Sequence, residues 1–490
     1  MTAKTIHVSS SAGNDAHPGT DVKPVKTLAR GLSLAAALGD GATVKVTIGL
    51  FAGPVELPSG VELRGGFKPG FSQQIVLADG DLTARGHDPA KYKDHCTVIH
   101  GAGRVVIGSR LARPTTLRDL VIIADEVPAS SADSSSYAIV VSADAPSADA
   151  RLVLDGVKIV CADGARGAAG SSRKHADHDQ YVGSPAKGGR PFVAAAPGTP
   201  VIAGAGSLPW ASSPECYGHV GEPGADAVRD RVVLLKGGKG GAAGRGNRQY
   251  SFNGDNGEPG GDGEPGQTPT PGLAGGRASA TTGGFDKDLR WVGGAGGSGV
   301  DGGDGSGGGA GGSGGTLCVE PLLLEWQQAI GGRGGDGGRG GNGGHGGGGG
   351  GGGGGSFGIV ARNVRVVAPR ASITLRTGGW GGNGGSGETG HAGEPGHPGE
   401  SARTSSDGGS RHLTSGKGGD GKPGGAGARG GDGAGGNGGP AIAVVLLGAA
   451  VLDEDDQDLL ISGGRPGQGG YGSVQGHTAT IAEWMKVESI

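Results

Sequence analysis

Residues 331–344 read GGRGGDGGRGGNGG, with glycine at two positions of every three. Residues 416–439, GKGGDGKPGGAGARGGDGAGGNGG, keep much of the same phase. A period of three is neither the 3.6 of an α-helix nor the 2 of a strand; it is the period of polyproline II. Two of three positions lack a side chain, so neighbouring segments can approach backbone to backbone, while Arg, Asp, Asn, Lys or Ala at the third faces water. Glycine loses more backbone entropy on ordering than any other residue. Order therefore requires neighbouring segments to satisfy each other's N–H and C=O groups, and ordered polyproline-II bundles are the expectation. Flexible linkers are the alternative. Collagen-like stretches such as GEPGGDGEPG (257–266) and GETGHAGEPGHPGE (387–400) are too short and broken in frame to argue for a triple helix.

Composition narrows what surrounds these arms. Of 490 residues 117 are Gly, apolar residues make 34% and aromatic ones 4%. That supply is too thin for two or three ordinary cores, but suits a stacked coil that buries Val, Ile and Leu between successive turns. A net charge of −4 with no basic run argues against nucleic acid as a partner. The acidic run Asp453-Glu454-Asp455-Asp456 reads as a solvated turn. Cys96, Cys161, Cys216 and Cys318 are far apart, which speaks against a zinc site or a disulfide scaffold; Cys161 and Cys318 sit in apolar strand patterns as small hydrophobes. The N-terminus lacks an apolar signal-peptide core and no run approaches a membrane span. The expected setting is extracellular or particle-associated without a classical signal peptide, with the cytoplasm as the alternative.

Along the chain, residues 6–9 read as a short strand, 12–20 as a turn-rich loop, and Lys26–Leu38 as a helix closed by Gly39. Short β runs follow at Thr43–Ile48, Val61–Leu63, Gln74–Leu77, Thr97–Ile99, Val105–Ile107, Thr116–Ile123, Tyr137–Ser142 and Arg151–Cys161. From residue 164 apolar patches recur at 227–235, 316–330, 356–375 and 440–461, each followed by a glycine block. This irregular repeat, a strand pair then a glycine arm, predicts coils whose arms all leave from one edge. The expected organisation is an N-terminal strand and capping helix (1–40), first coils (41–165), coils interrupted by glycine arms (166–475), and a C-terminal cap (476–490).

Non-glycine stretches mark candidate tips where arms turn back: 247–253, 285–291 and 410–414. Their Arg248, Tyr250, Phe252, Phe285, Trp291, Arg411 and His412 are the candidate binding residues, since aromatic and Arg side chains on a rigid scaffold are what recognition surfaces use. The plainer reading has the tips packing back on the scaffold. Other motifs carry little. GxGxxG is accidental in such a composition, no GK[ST] occurs, and GxSxG at 311–315 and 354–358 lies in glycine runs. A calcium repeat begins once, at 296–301, without tandem copies. His175, Asp177, His178 and Asp179 read as a solvated loop, so no metal or cofactor is expected.

The segment Ile6-His7-Val8-Ser9, Gly13-Asn14-Asp15, His17-Pro18-Gly19-Thr20, Pro24 and Lys26-Thr27-Leu28 resembles the opening of pectin-lyase-like β-helix proteins, with His17 where Asn is common. The resemblance covers about the first 40 residues. It implies an all-β fold, a right-handed parallel β-helix whose N-terminal end is plugged by the Lys26–Leu38 helix. The glycine arms resemble those of phage tail adhesins and of myxobacterial glycine-rich proteins, which implies receptor recognition or a fibre-like role. The superfamily also holds polysaccharide lyases and glycoside hydrolases. Of their motifs, GHG occurs only within a glycine run (344–346), NTD and RIK are missing, and the DD pair is Asp455-Asp456. Carboxylates brought together from different strands could still cleave a glycan. The expectation is thus a non-catalytic structural or adhesive protein whose partner is a surface glycan, a receptor or further copies of itself, with a carbohydrate-active enzyme of the β-helix class as the alternative.

Overall fold

A computed structural model describes residues 4–75, 88–128, 134–175, 180–190, 222–223, 236–244, 247–249, 259–276, 283–319, 327–406, 412–453, 459–476, 478 and 481–487. Most regular elements are strands, and most strands fall into three sheets. The first sheet orders Thr5–Val8, Thr43–Thr47, Glu62–Phe67, Thr115–Arg118, Arg151–Asp155, Arg365–Val367 and Val451–Leu452. The second orders Gly49–Ala52, Thr97–Ala102, Val121–Asp125, Lys158–Val160, Ser372–Thr377 and Leu460–Arg465. The third orders Val55–Glu56, Arg104–Gly108, Ser136–Ser142, Ser356–Arg362, Ala441–Leu447 and Ile481–Val487. Within each sheet spatial order follows chain order and the pairings are parallel, so the chain visits the three sheets in rotation.

Parallel in-register pairing stacks like residues above like. Ile6, Val44, Leu63, Leu117 and Leu154 form one buried column. Ile99, Ile122, Ile159 and Ile373 form a second, and Val106, Ile139, Ile359 and Val444 a third. All belong to one apolar core. Each such side chain contributes roughly 1.5–3 kcal/mol on burial. β-branched residues suit this repeat because they pack well on a pleated surface.

The N-terminal end of the core is covered by the helix Leu28–Leu38, which presents Leu28, Leu32 and Ala35 to it. Asp15 fixes where this helix starts. Its carboxylate accepts the N–H groups of Lys26 and Thr27 at 2.8 and 2.9 Å and the Thr27 hydroxyl at 2.9 Å. The Thr27 hydroxyl in turn accepts the N–H of Arg30, an N-cap bond.

Two apolar runs that read as single strands are each two. Thr116–Ile123 bends at Asp119 (φ 52°) and Arg151–Cys161 at Gly156 (φ 66°). Arg370 (φ 53°) turns the next copy. These left-handed residues stack at the corner between the first and second sheets, where the Asp119 N–H donates to the Asp155 carbonyl and the Gly156 N–H to that of Pro369. The run read as a strand at Gln74–Leu77 supplies only an isolated antiparallel bridge from Gln74 to Phe67, and 76–77 lie outside the described residues.

Three glycine-rich excursions leave the sheets, and all start after a strand of the second sheet and end before a strand of the third: after Val160, after Thr377 and after Arg465. Of the four apolar patches, 356–375 and 440–461 supply strands to the three sheets. Patch 316–330 does not. Leu317–Val319 and Gln327–Ala329 form a separate small sheet with Asn247–Gln249 at the far end of the excursions. Patch 227–235 lies outside the described residues. Ile481–Val487, within the expected C-terminal cap, adds a final parallel strand beside Ala441–Leu447. Cys96 and Cys161 are buried, and burial pushes the Cys161 thiol up to about 12.

Candidate functional surface

The glycine segments are bonded to one another with a three-residue period. Every third residue from Gly332 to Gly353 donates its N–H to every third carbonyl from Gly416 to Asn437, at 2.8–3.0 Å. Every third residue of 296–314 donates to the same stretch, running the opposite way, at 2.8–2.9 Å. Every third residue from Gly379 to Glu400 donates to the carbonyls from Gly354 back to Arg333, at 2.7–2.9 Å. On a further side, Gly348, Gly351 and Gly354 donate to Ser171, Ala168 and Ala165. Segment 331–354 is thus enclosed by backbone on several sides.

This enclosure explains the two-in-three glycine rule. A Cβ at Gly334 would overlap the carbonyl oxygen of Gly311, and one at Gly335 that of His397. Side chains fit at the third position alone.

Third-position residues of 331–354 meet those of 378–400 in a polar ladder. Glu400, Glu394 and Glu388 accept the backbone N–H groups of Arg333, Arg339 and His345 at 3.3, 3.1 and 3.1 Å. A carboxylate every six residues thereby satisfies N–H groups that the backbone network leaves over. Arg339 binds Glu394 with two bonds, of 2.8 and 3.2 Å, and lies 4.9 Å from the centre of the Tyr181 ring. Asp301 and Asp304 take the N–H groups of Gly346 and Gly343 at 2.7 and 2.8 Å; Asp432 and Asp420 take those of Gly387 and Gly399 at 2.8 and 2.9 Å.

Four of these carboxyl groups, Glu388, Glu394, Asp420 and Asp432, have lowered pKa values. The Arg339 side chain holds Glu394 below the ordinary value against the opposing effect of burial. Burial pushes Glu388 up, but the N–H groups of His345 and His175 and the His175 ring more than offset it and leave it lowered. Asp420 and Asp432 are lowered by the Gly399 and Gly387 N–H groups, with help from Lys417 and Arg429. Carboxylates held in this way serve the array as fixed acceptors.

His175 lies in this ladder, not in a solvated loop: its Nδ1 is 2.9 Å from Glu388 Oε2 and its ring stacks on His345 at 3.9 Å. Its partner is 213 residues away in sequence, so local spacing carried no sign of it. Asp177, His178 and Asp179 lie outside the described residues.

The candidate tip residues fall in different places. Phe285 and Trp291 belong to a hairpin, Gly283–Phe285 with Trp291–Gly293, which lies against the third sheet. Trp291 is 6% exposed, and both rings pack on Phe357, itself stacked on Tyr137 at 5.2 Å. The Tyr137 hydroxyl accepts the Trp291 N–H at 2.7 Å, and Arg104 and Arg362 bond the carbonyls of Asp288 and Lys287 at 2.6 and 2.8 Å. These rings face inward because the outer side of the third sheet is itself apolar, with Val140, Val360 and Val445 beside them. Arg248 lies in the strand Asn247–Gln249 and His412 in the hairpin Thr404–Ser406 with His412–Thr414; their side chains, like Tyr250, Phe252 and Arg411, lie outside the described residues.

Two shallow depressions mark the sheets. One of about 290 Å³ is lined by Pro146, Asn363, Arg365 and Val451, among others. The other, of about 200 Å³, lies between Asp125, Glu126, Asp163 and Arg376. Ligand pockets usually span about 300–1,000 Å³. In the second depression two carboxylates already have partners: Asp125 is 3.1 Å from His100 Nδ1, and Asp163 accepts the Thr377 N–H at 2.8 Å. Asp119, at the corner of the first sheet, is raised by burial and accepts a 2.6 Å bond from Gln74. Among the described residues no helix is long and apolar enough to cross a membrane.

No protein-family description matches the chain, and no curated protein matches it. A solved structure, the GH136 lacto-N-biosidase from Eubacterium ramulus, is 16% identical over 32% of this chain and 27% of that one, with a TM-score of 0.21. The likeness spans about a quarter of that enzyme's length.

Proposed function

We propose that the chain is a right-handed parallel β-helix carrying polyproline-II arms, and that it is a non-catalytic structural or adhesive component of an extracellular or particle-borne assembly. Its arms present a rigid surface to a glycan, a receptor or further copies of the chain. The observation that carries this reading is the array of glycine segments bonded every third residue on several sides. An array so bonded holds a fixed face at the charged third positions, which suits recognition or lateral assembly. Glu388, Glu394, Glu400, Asp301, Asp304, Asp420 and Asp432 are already engaged in holding that face.

Amide hydrogen exchange on 331–355 and 416–439 tests the rigidity. Protection comparable to that of Ser356–Arg362 supports it; exchange at the random-coil rate removes its basis. Binding to immobilised glycans and sedimentation against concentration then separate recognition from self-assembly.

The alternative is a carbohydrate-active enzyme of the β-helix class, and the carboxylates around the 200 Å³ depression favour that location for it. Turnover of acidic or neutral polysaccharides that disappears in Glu126→Gln would establish this reading in place of the first.

A further inference from the structure

Midway along the polar ladder three metal-ligating side chains come together from two arms. One ligand atom each from His175, Glu388 and His391 lies within 4.8 Å of the others. Glu388 and His391 are three residues apart, one turn of a three-residue period, so they share a face of segment 378–400. His175 comes from the first excursion, and its ring meets that of His391 edge-on at 5.8 Å. The side chains of His175 and Glu388 are only 10% and 11% exposed.

The second observation is an unmet buried atom. His391 Nε2 is shielded from water and has no hydrogen-bond partner among the described residues. Such an atom is costly to bury unless something takes it. Beside the His391 ring stand the His175 imidazole and the Glu388 carboxylate, while His345 stacks on His175 and Asp301 lies 3.5 Å from His345 Nδ1.

We propose that His175, Glu388 and His391 bind a divalent ion of the zinc class. Two imidazole nitrogens and one carboxylate suit zinc or a neighbouring transition metal; magnesium and calcium prefer all-oxygen sites. Zinc bonds of about 2.0 Å place tetrahedral ligand atoms roughly 3.3 Å apart, a spacing close to the 2.9 Å between His175 Nδ1 and Glu388 Oε2. Glu388 is already fixed by the backbone N–H groups of His175 and His345 at 2.8 and 3.1 Å, which orients the carboxylate before binding. The bound ion ties the first excursion to the second across more than two hundred residues of sequence. Three protein ligands leave a fourth position for water or for a donor group of a partner.

Titration calorimetry of the full chain with zinc chloride, and separately with magnesium chloride, tests the site. The expected result is one tight zinc site per chain, no comparable magnesium binding, and at least a tenfold weaker zinc site in His391→Gln and in His175→Gln. His397→Gln, at the same phase of the same segment but outside the cluster, is expected to bind as the unaltered chain does. Equal zinc affinity in His391→Gln, His175→Gln and the unaltered chain overturns the proposal. Should a variant fail to fold, amide exchange of the unaltered chain with and without zinc decides: slowing confined to 171–175 and 385–391 supports the site, and slowing elsewhere or none overturns it. Neither result bears on the rigid-surface reading, which concerns the arms in the absence of metal.

Discussion

The three stacked sheets and the glycine array belong to one chain but are held by different forces. In the sheets, columns of Ile, Leu and Val are buried and hydrogen bonds run between neighbouring strands. Among the described residues of the array large apolar side chains are few, and order depends on backbone groups satisfying one another on several sides. A sheet tolerates any side chain that fills its column. Segment 331–354 of the array tolerates none at two positions of three, because carbonyls of the neighbouring segments stand there. Apolar burial is forgiving in identity and strict in volume; close backbone packing is strict in identity.

Substitutions can break each region separately. Gly340→Val is expected to do the most damage: its Cβ would collide with the carbonyl of Gly305, a group that cannot rotate away. A loss above about 4 kcal/mol is expected, read as lost exchange protection in 296–314 and 416–439 while Ser136–Ser142 stays protected. Loss of protection in both regions together would show that they unfold as one unit.

In the sheets, Ile122→Ala should cost about 3 kcal/mol, as a fully buried column member leaves a cavity. Denaturant unfolding followed at the sheets checks this, and the array should keep its protection.

Acid sharpens the contrast. Glu388, Glu394, Asp420 and Asp432 have lowered pKa values in the folded chain, so they add stability above their ordinary carboxyl values and lose it as pH falls through the lowered ones. Asp119 is raised and acts in the opposite sense, gaining ground for the first sheet as pH falls from its raised value toward the ordinary one. The array is therefore expected to open at higher pH than the sheets during acid titration, seen as loss of exchange protection in 331–355 first. The smallest effect belongs to Glu394→Gln, which removes the charge opposite a partly exposed Arg339. About 1 kcal/mol is expected, measurable as a small shift of the array's unfolding midpoint with none in the sheets.

The sequence was most readable where periodicity is local. Gly39 and the apolar Leu28, Leu32 and Ala35 marked the first helix, and the strands around Thr43, Thr97 and Tyr137 were found close to their bounds. The corners at Asp119 and Gly156 were hidden because the apolar run continues through a single left-handed residue. Patch 316–330 misled because its apolar pattern matches that of a coil strand, although it closes the far end of the arms. For the ladder, the glycine period announced that segments would pack, but the pairings depend on register. Whether His345 meets Glu388 or another third-position residue follows from where the arms start, three-dimensional information that no local window contains. Trp291 looked like a tip because it stands between glycine runs; the apolar outer face that receives it is made by Tyr137 and Phe357, far away in sequence.

The arms' shared exit corner also dictates the timing of assembly. Strand Ser136–Ser142 pairs with Ser356–Arg362, yet residues 161–355 must be synthesised between the second-sheet strand ending at Val160 and that partner. At about 5–20 residues per second on the ribosome, the edge at Ser136–Ser142 waits on the order of ten to forty seconds for its neighbour. During that interval the nascent chain carries an unpaired edge able to accept any extended segment, including the same edge of another copy. The first excursion, growing from beside that edge, is what stands closest to shelter it.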